Sequence, residues 1–305
     1  MTAPQICDYE NSPWRTEFWR GRDFEDRVER IALARLLPLR GTRVCEIGAG
    51  FGRLADFYLG YDQIILIDYA RSMLLQAREH ILADSRFAHP STPLRSAQDA
   101  PRFYFVAADL YNLPLADNAL DTALTIRVLH HVADVPRAFG EIARVVRSNG
   151  TYVLEHANKR NLKAIVSYAA RRGPNPFTLE PYEFVKLNFD LHPRYVVENL
   201  RAANFVARAK RAVSTFRIPL LKKFVPVAIL AALDGALQSP LANLSISPSL
   251  FLRAESRKPG SPTLNPRLWR CIACHSTDIA ESNDALACRA CARVYPIVDG
   301  IVDFK

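Results

Sequence analysis

Between Arg43 and Gly52 the chain passes from a short β-rich run straight into three alternate glycines, Glu46-Ile47-Gly48-Ala49-Gly50-Phe51-Gly52. Few folds need that order. Glycines let a backbone turn tightly and let a ligand come close, and a helix that opens behind them offers unpaired N–H groups. A strand over Arg43–Ile47, a glycine loop and a helix beginning near Gly52 therefore read as the first turn of a β-α-β unit with a nucleotide-like ligand on the loop.

The rest of the first half keeps that rhythm. Gln63–Asp68 reads as a second buried strand, followed by a helix from Ser72 to about Ala83. Phe103–Ala107, Leu120–Ile126 and Thr151–Glu155 read as the third, fourth and fifth strands, with a helix over Val135–Val146 closed by Asn149-Gly150. Strands alternating with helices imply parallel units. Residues 8–37 look helical, since Phe24, Val28, Ile31 and Leu33 recur at helical spacing before Pro38 and Gly41. Residues 1–38 are thus expected to form an N-terminal helical cap. Phe87–Arg102, with three prolines, reads as a surface insertion.

After Glu155 the pattern changes. Residues 157–239 read as a basic, mostly helical region with a strand near Arg208–Thr215, and Ser247–Arg253 reads as a final strand. Ala157–Pro226 holds 14 Lys and Arg against 4 Asp and Glu, which accounts for the whole net charge of +9. An anionic acceptor or an anionic membrane surface would suit it, and so would a solvated helix face. Residues 255–266, with three prolines and a glycine, read as a linker to a separate module over 267–305.

A glycine loop alone does not separate ligands. A dinucleotide fingerprint starting at Gly48 needs glycine at 53, where this chain has Arg53. Glu46 at the strand end would repel a pyrophosphate, but not a ligand with an amino group and a positive sulfonium. Asp68 closes the second strand, placed to accept from ribose hydroxyls, and Asp109 follows the third, where it could accept from an adenine amino group with Leu110 beside the ring. Each acid alone could simply cap the next helix.

Val44–Arg53, Ile67-Asp68-Tyr69, Ala108-Asp109-Leu110 with Leu113-Pro114-Leu115, and Leu129-His130-His131-Val132 together resemble class I S-adenosylmethionine-dependent methyltransferases. Leu113–Asp121 followed by Arg144–Gly150 is similar to the branch that contains quinone-biosynthesis methyltransferases. The resemblance covers residues 40–156, and 157–254 more loosely. It implies an α/β, Rossmann-like, seven-stranded sheet of order 3-2-1-4-5-7-6 within residues 39–254, carrying a helical insertion. Its last strand is antiparallel, with Ser247–Arg253 as the candidate. It implies contacts of Glu46, Gly48, Gly50, Asp68 and Asp109 with S-adenosylmethionine, Arg127 near its methionine end, and Tyr69 and Met73 around its adenosine. Gly52 completes the loop.

Methyl transfer from a sulfonium is an in-line displacement, so positioning and exclusion of water do most of the work. A general base is needed only where the acceptor loses a proton. His131 and Glu155 are the candidates, Glu155 preferred, while packing or capping is the ordinary role of such histidines. The acceptor is not specified. The chain lacks an Asn-Pro-Pro-aromatic signature and has no cysteine on the fourth or fifth strand. A small or lipid-linked molecule is favoured, with RNA held by the basic segment as one alternative and a non-catalytic, cofactor-fold scaffold as another. Trp14, Phe18 and Trp19 could form a lid or simply pack a helix on the core. Lys222 and Lys223 before an apolar stretch in Pro219–Leu237 suit a membrane surface, though an internal helix of the acceptor cap gives the same pattern and is preferred.

Cys271-x-x-Cys274, thirteen residues, then Cys288-x-x-Cys291 is a strong signal for structural tetrahedral zinc. Four cysteines leave no open position for catalysis; a redox role is the weaker reading. With Val294–Phe304, the cysteines resemble the small zinc-ribbon family that activates RNA and protein methyltransferases, which implies packing on its own domain or recruitment of a protein partner. Leu264–Lys305 carries five basic and five acidic residues, a poor footprint for phosphate. Clustered cysteines, no basic-then-apolar start and no unbroken run of 18 apolar residues lead to the expectation of a cytoplasmic protein.

Overall fold

The computed structural model describes residues 4–11, 18–88 and 101–305. Its order begins with α1 (Asp23–Leu36), β1 (Gly41–Ile47), β2 (Tyr61–Asp68), α2 (Arg71–Ala83), β3 (Arg102–Ala107), β4 (Leu120–Thr125), α3 (Val135–Val145) and β5 (Val146–Ala157). The basic region follows as α4 (Leu162–Ala169), a hairpin of β6 (Tyr182–Val185) and β7 (Asn188–Asp190), α5 (Pro193–Ala202), β8 (Phe205–Val213), α6 (Pro219–Phe224) and α7 (Val227–Leu244). Last come β9 (Ser249–Ser256), β10 (Ile279–Glu281), β11 (Ala285–Cys288), β12 (Val294–Val298) and β13 (Ile301–Asp303).

Among the described residues one mixed sheet has eleven strands, in the order β10-β11-β12-β13-β3-β2-β1-β4-β5-β9-β8. β2, β1, β4 and β5 run parallel, and β9 is antiparallel to both β5 and β8. Seven strands were expected; four more arise because the C-terminal chain adds to the β3 edge. β13 pairs in parallel with β3, Ile301 opposite Phe105 and Asp303 opposite Ala107. An open edge there would leave a row of backbone groups unpaired, and the tail fills it. The expected separate module therefore shares the sheet. Its approach is no free linker: Lys258 donates to Ala143 O at 2.6 Å and Arg144 O at 2.9 Å, and Arg43 donates to Asn265 O at 2.6 Å.

Side-chain alternation sorts the core onto the two sheet faces. Ile64 and Leu66 of β2 pack with α1, α2 and Leu230 of α7; Ile65 and Ile67 pack with α3, α5 and the tail residues Trp269, Tyr295 and Phe304. α3 starts cleanly because Asp134 accepts from Arg137 N at 3.1 Å and Pro136 occupies its first turn.

Two helical expectations fail. After the glycine loop only a 3-10 turn, Ala55–Tyr58, forms, because nine residues from Gly52 to Gly60 bring the chain back to β2. Of the helix expected over residues 8–37, the described residues hold α1 and a helical Phe18, separated by Gly21 at φ +71°; residues 12–17 lie outside the description. Instead of continuing that helix, Glu10 caps α2, accepting from Arg71 N at 2.7 Å and Ser72 N at 3.0 Å. The expected insertion at Phe87–Arg102 lies mostly outside the described residues, as does Trp14.

Candidate active site

The carboxyl ends of β1 to β4 open into one cleft of about 1210 Å³ including its mouth. Glu46, Gly48, Gly50, Asp68, Tyr69, Met73, Asp109, Leu110, Arg127 and His131 all line it. Gly52 and Glu155 do not.

The three loop glycines differ in what they face. A Cβ on Gly48 would lie 2.3 Å from Val128 Cγ2, and one on Gly52 would press on Ala77 Cβ at 3.2 Å. Among the described residues nothing lies within 4 Å of a Cβ built on Gly50. So Gly48 admits the loop after β4, Gly52 admits α2, and Gly50 leaves the cleft free for a ligand. Gly48 N and Ala49 N both donate to Ile67 O, fixing the loop on β2.

Acids at the strand ends serve two ends at once. Asp68 accepts from Gly50 N at 2.8 Å and Ala70 N at 2.9 Å, and Asp109 accepts from Tyr111 N at 2.8 Å. Each caps local backbone while keeping lone pairs toward the cleft. Burial raises the pKa of both. Glu46 is buried, its Oε2 has no hydrogen-bond partner among the described residues, and burial pushes its pKa up to about 7. The Tyr58 hydroxyl and the Arg53 guanidinium work against that rise, and a ligand cation would favour the ionised form further.

Arg127 departs from expectation. It lines the cleft, but its guanidinium is engaged by the buried Glu29 of α1, which also holds Arg53 at 2.8 Å. Stacked on these guanidiniums are the aromatic residues at the cleft mouth, Trp19 4.0 Å from Arg53 and Phe18 5.4 Å from Arg127. Glu155, the preferred base, is committed elsewhere. Its Oε2 accepts from Arg127 N at 3.0 Å and its Oε1 accepts from Ser249 Oγ. Arg127 has a left-handed backbone, φ +59°, and Glu155 holds it there. The acid lies under the loop because β5 is flanked by β4 and β9, which face it from both sides.

His131 does reach the cleft. Its Nδ1 lies 3.0 Å from Leu187 O, a pure acceptor, so Nδ1 carries the proton. Nε2 then accepts from the Tyr9 hydroxyl at 2.9 Å. Burial lowers the pKa of His131, and that of His130 well below its ordinary value. Tyr9 and Cys7, which line the same wall, were missed by sequence reasoning, because nothing local marks an extended N-terminal segment as a wall of a distant cleft.

In the C-terminal strands the sulfurs of Cys271, Cys274, Cys288 and Cys291 lie within 4.8 Å of one another. Cys271–Cys291 and Cys274–Cys288 are 3.6 and 3.5 Å apart, close to the roughly 3.8 Å edge of a tetrahedron with 2.3 Å zinc–sulfur bonds. The Tyr295 hydroxyl, 3.0 Å from Cys271 Sγ, accepts from Ile272 N at 3.2 Å and so donates to the sulfur.

Residues 45–154 match a family model described as a methyltransferase domain. A probable S-adenosylmethionine-dependent methyltransferase of Mycobacterium tuberculosis is 29% identical over 135 residues, 44% of this chain and 42% of that protein. The malonyl-[acyl-carrier protein] O-methyltransferase of Pectobacterium atrosepticum is 27% identical over 128 residues, 40% of this chain and 43% of that protein. The match spans 27 to 41% of the length of the first curated relatives. Two solved structures share the fold. A putative S-adenosylmethionine-dependent methyltransferase from Listeria monocytogenes has a TM-score of 0.52 at 13% identity, covering 77% of this chain and 99% of that one. A chain from the complex between the Haloferax volcanii Trm112 methyltransferase activator and the putative methyltransferase has 0.50 at 18%, covering 80% and 96%.

Proposed function

We propose that this chain, whose residues 45–154 match a methyltransferase-domain family model, is a class I S-adenosylmethionine-dependent methyltransferase acting on a small or lipid-linked acceptor. The observation that carries the reading is the convergence of Glu46, Asp68 and Asp109 on the open side of Gly50 in one cleft. Glu46 Oε2 suits the cofactor's ammonium group, Asp68 its ribose hydroxyls, and Asp109 with Leu110 its adenine. When bound, S-adenosylmethionine supplies an electrophilic methyl group.

The remaining wall, with Ile6, Cys7, Tyr9, Phe18 and His131, would take the acceptor. It is largely apolar, which excludes water and suits an uncharged or lipid-like body. An acceptor hydrogen-bonded to the Tyr9 oxygen can pass a proton through that hydroxyl to Nε2 of His131, whose Nδ1–H stays on Leu187 O. Glu155 acts on the loop and not on the acceptor. The finer likeness to quinone-biosynthesis methyltransferases agrees with a lipid-linked acceptor.

The four cysteines would hold a structural zinc ion, with no open position for chemistry. As a ribbon similar to methyltransferase activators, residues 267–305 would brace their own catalytic domain. Calorimetry with S-adenosylmethionine and its demethylated product tests the first step, and no affinity for either would sink the enzyme reading. Labelled-methyl transfer into extract separated into RNA, protein, lipid and small molecules then names the acceptor.

A further inference from the structure

Helix α7 is built inside out. Its buried side, against α1, includes Asp234, Gly235 and Gln238, with Gln238 Nε2 donating to Val28 O at 2.9 Å. Its outward side shows Ile229, Leu233, Leu237 and Leu244 to solvent. The preceding α6 adds two more: Leu220 and Phe224 of α6, with Ile229, Leu233 and Leu244 of α7, are each 49 to 72% exposed. An aqueous surface rarely carries such a contiguous apolar stripe without a partner.

Cations stand at both ends of the stripe. Lys223 lies 5.5 Å from the Phe224 ring at one end, and Lys210 reaches Ser245 Oγ at 3.0 Å at the other. At that second end Leu162 N donates to Ile246 O at 2.7 Å, which sets α4 beside the tail of α7. There Leu162 and Val166 are exposed, and Lys163, Arg171 and Arg172 with them. From Leu162 to Arg172 and from Pro219 to Leu244 the one acidic residue is Asp234, which is buried and accepts from Thr215 N at 2.7 Å.

We propose that α4, α6 and α7 form a face that rests on a bilayer bearing anionic headgroups. The leucines and phenylalanine enter the acyl boundary while the lysine and arginine heads stay at phosphate level. A second copy of the chain fits this face poorly, since self-pairing would set its cations against their own kind. The face also adjoins the cleft. Lys222 of α6 donates to Glu25 Oε2 at 3.0 Å and to Gly21 O at 3.4 Å, two residues from the cleft residue Trp19. A bilayer-borne acceptor would therefore arrive beside the methyl-transfer site, a step that rests on the methyltransferase reading, whereas membrane contact itself does not.

The test is flotation of the full chain with vesicles of phosphatidylcholine alone and of phosphatidylcholine mixed with phosphatidylglycerol. Binding is expected only to the mixed vesicles, weakening with salt. The Ile229→Glu/Leu233→Glu double variant should lose at least about tenfold in bound fraction, and Lys163→Glu/Lys223→Glu should lose the preference for anionic lipid. Both variants should keep the wild-type thermal midpoint and cofactor affinity, which separates loss of docking from misfolding. The proposal is overturned if the wild type floats with neither vesicle, or if the variants float as it does. It is equally overturned if light scattering shows a dimer that Ile229→Glu/Leu233→Glu dissociates while vesicles stay unbound.

Discussion

Glu46 decides how the cleft responds to pH. Its carboxyl is buried without a partner on Oε2 among the described residues, and its pKa stands at about 7 against 4.5 in an unfolded chain. A raised carboxylate pKa means that the folded, ligand-free protein holds the proton more tightly. Its contribution to stability is complete below pH 4.5 and is lost as pH rises through about 7. Affinity for a cationic ligand runs the other way, because only the ionised carboxylate pairs with ammonium. S-adenosylmethionine should bind about tenfold more weakly at pH 6 than at pH 8, with proton release near pH 6 seen in calorimetry in buffers of different ionisation heat. Glu46→Gln should weaken binding by about 10- to 100-fold and flatten that profile. A profile unchanged by the substitution would remove Glu46 from this role. At Gly48 an added methyl meets Val128 at 2.3 Å with φ at +75°, so Gly48→Ala should cost about 1–3 kcal/mol in denaturant unfolding. On the far wall, Tyr9→Phe or His131→Asn should slow transfer about 10²- to 10⁴-fold to a protonated acceptor while cofactor affinity holds.

At the scale of elements, the loop after β4 depends on β5 and β9 through one buried acid. Glu155 accepts from Arg127 N, and Ser249 of β9 donates to Glu155. Burial raises the pKa of Glu155, while the neighbouring Arg127 guanidinium works against that. Glutamine can still accept from Arg127 N, and leucine cannot. Glu155→Gln should therefore keep transfer within several-fold of wild type, while Glu155→Leu should lose at least about tenfold with weaker cofactor binding. If Gln is as inactive as Leu and the pH profile loses a limb, Glu155 is a base after all. The sequence placed this acid at the end of the fifth strand, and that was right. The expected strand order already set Ser247–Arg253 beside that strand; what it could not show is that Ser249 Oγ and Arg127 N would occupy both carboxylate oxygens.

For the whole molecule, the tail is part of the main sheet. β13 extends β3, Phe304 N donates to Ala107 O at 2.9 Å, and Lys305 Nζ donates to Tyr69 O at 3.0 Å, on the cleft wall. Arg71 of α2 pairs with Asp299 at 2.7 Å. Metal bound by the cysteines would thus stabilise the cofactor wall as well as the ribbon. Stripping metal with a chelator should lower the thermal midpoint by at least several degrees and weaken S-adenosylmethionine binding, with one zinc released per chain. If calorimetry shows the ribbon melting alone with the cleft unaffected, the coupling is absent.

Local rules in the sequence determined a good deal. Short β-rich and apolar runs placed β1, β2, β3 and β4 within a residue or two, the glycine loop fell where strand β1 ends, and Glu46, Asp68 and Asp109 came out on one cleft because strand ends in a parallel sheet share one side. Spacing alone gathered the four cysteines. Tertiary structure decided what depends on contacts between residues far apart in the chain. It set Tyr9 against His131 across 122 positions, tied Arg127 to Glu29 across 98, and joined the tail to β3 rather than leaving it beyond a linker. It also turned the apolar side of α7 outward, because Asp234 and Gln238 found partners inside. Apolar residues at helical spacing say that a helix has a greasy side; only the packed fold says which way that side faces.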